Sequence, residues 1–178
     1  MKNESQIKLE YAEIFYKFAL ATSTTITSSD VNLKYYDTFS FLQHVVNKQD
    51  LELTKPEEKI GARILEFVAT YIMILQLNKV LEDEWGKNRL QSEDKEIQNI
   101  SQVVRLIRNA FAHDPLKPVW DISKSTMNME FEITNILTLR THNLHGKKLD
   151  RYDYGGPLAL LRLIQYVKNK MTTTNHLL

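Results

Sequence analysis

The chain has no cysteine, no long apolar run and almost no net charge, and each lack narrows what it can be. Without cysteine in 178 residues there is neither a disulfide framework nor a thiolate metal site, which suits a reducing compartment, so a cytoplasmic location is expected. No segment reaches 18 uninterrupted apolar residues. The first residues, MKNESQIKLEYAEIF, carry acids where a secretory signal carries a basic stretch and then an apolar one, so neither a membrane span nor export is expected. A net charge of +1 argues against a protein that coats nucleic acid. The charge is uneven: residues 1–90 hold 11 Lys+Arg against 13 Asp+Glu (net −2), and residues 91–178 hold 12 against 9 (net +3), which permits a local basic site on the second half. There is no internal repeat or low-complexity segment, and the spacing picks out no Ser-His-Asp set and no carboxylate pair. What is there, 43% apolar and 25% charged residues, is the composition of one globular domain spanning residues 1–178.

Periodicity makes most of that domain helical. Ile7, Tyr11, Ile14, Phe15 and Phe18 recur at three- and four-residue spacing and predict the inner face of a helix over 6–21, stopped by the hydroxyl-rich run TSTTITSSD. Ser29 or Asp30 then caps a predicted second helix through about Val46, with Leu33, Tyr36, Phe39 or Ser40, and Val45 near its inner side. Thr54-Lys55-Pro56-Glu57 is a helix start, with Glu57 placed to reach back and Pro56 where no N–H is needed. The helix that follows runs for about thirty residues, roughly 45 Å, with Ile60, Ile64, Phe67, Val68, Tyr71, Ile72, Leu75 and Val80 predicted inward and a break near Gln76–Lys79 allowed. Gly86-Lys87-Asn88 makes a turn. The next helix spans roughly Glu93 to Ala112, with Ile97, Ile100, Val103, Val104, Ile107 and Phe111 inward.

After Pro115 and Pro118 the period changes to two. Met127, Met129, Phe131 and Ile133 alternate with polar residues, and Leu137 and Leu139 continue the pattern, predicting a small hairpin or meander within a β-containing insertion over about 126–152. His145-Gly146 is read as a turn. Tyr154-Gly155-Gly156-Pro157 opens a last helix with Leu158, Leu161, Ile164 and Val167 or Lys168 along its inner side, and the final MTTTNHLL frays. The predicted class is therefore a mainly α helical bundle with a small β hairpin before the last helix.

The stretch RLIRNAFAHDP, residues 105–115, carries more polar chemistry than ending a helix requires. Arg105, Arg108 and Asn109 lie three and four residues apart and share a face opposite Val104, Ile107 and Phe111. His113 follows Arg108 by five residues, about 140° further round an ideal helix, so the two meet only if the helix end unwinds or a second chain supplies the partner. Asp114-Pro115 favours unwinding, because the residue before proline is pushed out of the α region. The plain alternative is that Arg and His in a last turn satisfy free carbonyls and the helix dipole, worth about 0.3–1 kcal/mol each.

Arg108-Asn109-Ala110-Phe111-Ala112-His113 resembles the Arg-x4-His signature of the HEPN superfamily, in which a polar residue commonly follows the arginine as Asn109 does here. The RNxFAH wording also resembles the mannitol operon repressor group, whose HEPN-like members include proteins that are not enzymes. The first resemblance implies a homodimeric endoribonuclease used in defence or toxin-antitoxin systems, needing no metal and no cofactor and leaving 2′,3′-cyclic phosphate ends. It implies that Arg108 and His113 carry the reaction with Asn109 beside them, that Arg105 holds the RNA backbone, and that two motifs meet across a twofold interface. The second implies a regulator or interaction module working through protein contacts. Their chemistry differs: an RNA partner in the first, an antitoxin or other protein in either.

The remaining candidates read as structural. His142 and His145 have the spacing of a metal pair but no third ligand at a telling distance in sequence, so they are assigned to a solvated turn, and no metal site is expected. Tyr154-Gly155-Gly156-Pro157 lacks the Lys-Ser/Thr of a phosphate loop. Eight of the 17 aromatics fall in the first 41 residues, at helical spacing that suits core or dimer surface better than base stacking. Trp85 and Trp120 flank the motif helix and its exit loop; either could pack under the site, and neither is assigned chemistry.

Overall fold

Thr54 opens the central helix as its sequence dictates: Glu57 accepts hydrogen bonds from the Thr54 N–H (2.8 Å) and Oγ1 (2.6 Å), and Pro56 occupies the first turn. In this computed structural model, which describes residues 4–28, 33, 37–41 and 44–174, that helix, α3, is unbroken over Lys55–Trp85, without the interruption allowed near Gln76. It is also long and apolar enough to cross a membrane by length and composition alone; here it lies between α1 (Glu4–Ser28) and α4 (Lys95–Phe111) and packs against both. The hairpin β1 (Thr38–Phe41) and β2 (His44–Asn47) and the single turn α2 (Lys48–Leu51) precede α3. The hairpin β3 (Glu130–Ile133) and β4 (Leu137–Arg140) follows α4, and α5 (Pro157–Thr174) closes the fold. The described residues are thus mainly helical, with a two-stranded antiparallel hairpin before the last helix.

Three expectations from periodicity are corrected. The first helix does not stop at TSTTITSSD but runs through it to Ser28, because the hydroxyls bond back into the helix: Thr22 Oγ1 donates to the Phe18 carbonyl (2.9 Å) and Thr27 Oγ1 to that of Ser23 (2.6 Å). The predicted helix through Val46 is a hairpin, with Phe39 opposite Val46 and Ser40 opposite Val45. Thr, Phe and Val dominate those strands and suit a pleated surface better than a helix. Its proposed caps, Ser29 and Asp30, and its inner residue Tyr36 lie outside the described residues.

The third correction concerns which faces are inside. The buried side of α1 is Leu9, Ala12, Tyr16, Ala19 and Ile26; Ile7, Tyr11, Ile14 and Phe18, predicted inward, are 40%, 68%, 63% and 63% exposed on the opposite side. On α3 the core side is Ala62, Ala69, Met73, Ile74, Leu77, Val80 and Leu81. Ile60 and Ile64 are exposed, and Phe67, Val68, Tyr71, Ile72 and Leu75 are half-buried. Both helices carry apolar residues on two sides, so period alone could not rank them. The small residues decide the packing, since Ala12 and Ala19 on α1 and Ala62 and Ala69 on α3 let the two axes approach. Within α5, likewise, Ala159, Leu160, Leu163, Ile164 and Val167 are buried, and Leu158 is exposed. We expect Phe18→Ser to change folding stability by less than about 0.5 kcal/mol and Leu9→Ala to cost about 2–5 kcal/mol. Urea denaturation at low protein concentration measures both, and the reverse order would restore the periodicity reading.

The sequence is legible in α4 and β3–β4. Asp94 caps α4 by accepting from the Glu96 N–H (2.9 Å) and the Ile97 N–H (3.2 Å), and Ile100, Val103, Val104, Ile107 and Phe111 are all buried. Phe131 pairs with Leu139 and Ile133 with Leu137, all four buried, whereas Met127 and Met129 precede the strand and are exposed. Two charged ties hold α5 to its neighbours. Burial would raise the Glu13 carboxyl, but Lys168 and Lys17 donate to it and pull it below the ordinary range; Lys170 and then Tyr166 do the same for Glu96 on α4.

Candidate functional site

The motif helix ends one residue before Ala112, whose N–H turns back to the Asn109 carbonyl (3.1 Å). Asp114 then builds the exit turn by accepting from the N–H groups of Leu116 (2.9 Å) and Lys117 (3.2 Å), and the Val119 N–H returns to the Ala110 carbonyl (3.0 Å). The chain after the motif is therefore folded back against the helix end. Residues 118–122 also run antiparallel to 144–149: the Trp120 N–H donates to the Lys147 carbonyl (2.8 Å), the Gly146 N–H to that of Trp120 (2.9 Å), and the Leu149 N–H to that of Pro118 (2.9 Å). Gly146 takes φ +77°, which lets the chain turn at His145-Gly146 as its sequence suggests.

These backbone pairings build an open cleft of about 320 Å³ at the end of α4, lined by Ala110, His113, Asp114, Lys117, Trp120 and His145 among others. His113 is exposed within it and, among the described residues, has no hydrogen-bond or ion-pair partner. Trp120, 1% exposed, forms part of the wall and is fixed from behind by its indole Nε1 donating to Asp153 Oδ2 (2.7 Å). His145 Nδ1 accepts from the Ile122 N–H (3.1 Å), so the neutral ring carries its proton on Nε2 and presents a donor. Asp121 also lines the cleft, with Oδ1 3.9 Å from His145 Nδ1.

Arg105, Arg108 and Asn109 are half-buried on α4, and none lines the cleft that holds His113. Arg108 Nη2 donates to Asn109 Oδ1 (3.2 Å), while Arg105 Nε and Gln102 Oε1 are buried without a hydrogen-bond partner. Arg108 and Asn109 are thus joined to each other by a hydrogen bond, and neither contributes to the lining of the cleft that holds His113. Compared with protein-family models, with curated proteins and with solved structures, the chain matches none.

Sequence reasoning missed two members of the cleft. Lys117, four residues after His113, was within reach of inspection, whereas His145 arrives only through the pairing of 118–122 with 144–149, which no local pattern announces. His142, grouped with His145 in sequence, instead sits 2.9 Å from Asn128 Oδ1, so the two rings face different partners. Trp85 is half-buried with Lys170 Nζ 6.0 Å from its ring centroid and lines no part of this cleft. His176 lies outside the described residues.

Chemically, the cleft gathers one free imidazole, one lysine ammonium and one imidazole N–H donor against an aromatic wall. An imidazole can take or give a proton, and the ammonium and the N–H can hold an oxyanion.

Proposed function

We propose that this chain is a metal-independent endoribonuclease of HEPN type, with RNA as substrate and a second copy of the chain as partner. The observation that supports the reading most is His113, open to solvent in a cleft beside Lys117 and His145. His113 takes the proton from a ribose 2′-OH as its oxygen attacks the neighbouring phosphorus. The bond to the 5′-oxygen breaks, and the departing oxygen takes a proton from water, leaving a 2′,3′-cyclic phosphate and a 5′-hydroxyl end. Lys117 and His145 Nε2–H bind the phosphoryl oxygens as charge builds on them. The requirement for a 2′-OH makes DNA inert.

Arg108 and Asn109 enter this scheme from the partner chain. Within one chain they do not line the His113 cleft, and the family likeness implies motifs that meet across a twofold axis. Arg105 holds the RNA backbone. In the defence or toxin setting that the resemblance implies, an antitoxin or other regulatory protein would act by covering the cleft, and the site of action is the cytoplasm.

The test is cleavage of total RNA and of tRNA by the purified protein in EDTA, with identification of the product ends, followed by mixing of two inactive variants. We expect Arg108→Ala and His113→Ala proteins, each inert alone, to regain part of the activity when mixed, because a mixed dimer contains one intact Arg108–His113 pair. An inert wild type would sink the ribonuclease reading, and a mixture that stays inert would place both residues in one chain.

A second reading, a non-catalytic HEPN-like interaction module, is favoured by the outward line Ile7, Tyr11, Ile14 and Phe18, whose 4-3-4 spacing is a seam for a partner helix. It expects protein binding with no RNA cleavage.

A further inference from the structure

A larger open cavity, about 430 Å³, shares no lining residue with the His113 cleft. It is enclosed by the last turns of α1 (Ser23, Thr27), the first half of α3 (Lys59, Arg63, Glu66, Phe67) and the turn at Asp150–Tyr152. Two arginine–aromatic stacks face into it: the Arg63 guanidinium lies 5.5 Å from the Phe67 ring centroid, and that of Arg151 lies 5.6 Å from the Tyr152 centroid. Tyr152 is 71% exposed, so most of its ring meets solvent although Arg151 and the Gly156 backbone lie beside it.

The charges of this cavity are unequally committed. Glu66, 6% exposed, forms an ion pair with Arg151, which fixes that guanidinium across the Tyr152 ring. Asp150 Oδ1 accepts from the Tyr152 N–H (3.0 Å) and so belongs to the turn. Among the described residues, neither Lys59 nor Arg63 is paired with a carboxylate. They stand four residues apart on α3, on one side of the helix and beside an open tyrosine ring. Two unspent cations call for an anion of at least one charge, and an open aromatic face calls for a flat ring joined to it. The volume falls in the range of small-molecule sites, about 300–1,000 Å³.

We propose that this cavity binds a nucleoside phosphate, its phosphate held by Lys59 and Arg63 and its base laid on Tyr152. The nucleotide is either free or one unit of an RNA chain, and the site does not depend on the cleavage reading of His113. Ser23 and Thr27 line the same cavity, with the Thr27 hydroxyl bonded to the Ser23 carbonyl, and buried Glu66 holds the floor in place through Arg151.

The test is a titration of the full chain, followed by calorimetry and by ring resonances of tyrosine, with AMP, GMP, CMP and UMP. The matching nucleosides, inorganic phosphate and a short oligoribonucleotide are titrated in parallel. We expect at least one nucleotide to bind, with its nucleoside and with phosphate each roughly tenfold or more weaker. Arg63→Ala and Tyr152→Leu each lose about tenfold or more in affinity, whereas His113→Ala binds as wild type. Both altered residues are exposed, and unchanged melting curves confirm the fold. An oligoribonucleotide that binds more tightly than the nucleotide and is displaced by it shows the cavity holding one unit of RNA, and one that does not compete shows a site for the free nucleotide. Failure of every nucleotide to bind, or binding untouched by both substitutions, overturns the proposal. A wild type that binds nucleotide but cuts no RNA keeps this site and removes only the cleavage reading.

Discussion

Replacing His113 by alanine is expected to lower RNA cleavage in EDTA by about 10²- to 10⁴-fold, the range for loss of a positioned proton carrier. The melting temperature should stay within a degree or so of wild type, because the side chain is exposed and no hydrogen bond of the fold depends on it. Lys117→Ala should slow the reaction by roughly 10²-fold, as for removal of one group that holds the developing oxyanion. The pattern separates chemistry from architecture: both residues sit in the cleft, and neither is part of the core. If His113→Ala cuts RNA as fast as wild type, the activity belongs elsewhere on the molecule or to a contaminant, and His113 has no part in it.

Trp120→Ala is expected to cost about 3–5 kcal/mol of folding stability, which for a chain of this size lowers the melting temperature by very roughly 6–20 °C. The indole is 1% exposed, its ring belongs to the core cluster, and its Nε1 donates to Asp153, which also accepts from the Asp150 N–H (3.1 Å). Removing it opens a void between the exit of α4 and the turn before α5. Trp120→Phe keeps most of the packing and loses the hydrogen bond to the carboxylate, so its cost should be smaller, about 1.5–3 kcal/mol. Circular dichroism melts and urea titration give both numbers. A cost below about 1 kcal/mol for the alanine variant would mean that the indole is not the wedge described here.

The parts of the fold that could be read from sequence are those where one signal acted alone. Thr54 and Pro157 begin their helices because each meets a free backbone N–H or needs none, and Phe131, Ile133, Leu137 and Leu139 sit at period two with no competing period. Where two signals competed, the local one lost. Ile7, Tyr11, Ile14 and Phe18 form a better apolar stripe than Leu9, Ala12, Tyr16 and Ala19, yet the latter face the core because alanines admit a neighbouring helix. TSTTITS stayed helical because its hydroxyls found carbonyls one turn back. At the candidate site, the sequence put His113 just past the end of α4, where the helix stops at Phe111. It could not supply His145, which reaches the cleft through backbone pairing over about thirty residues.

The chain has two tryptophans, and their settings differ. Trp120 is sealed against the back of the His113 cleft, and Trp85 sits half-buried at the end of α3 under Lys170. The molecule therefore carries its own optical reporter. In a Trp85→Phe background the remaining emission comes from a single indole in a dry wall, blue-shifted at rest and open to quenching by whatever enters the cleft, so occupancy there can be followed without a label.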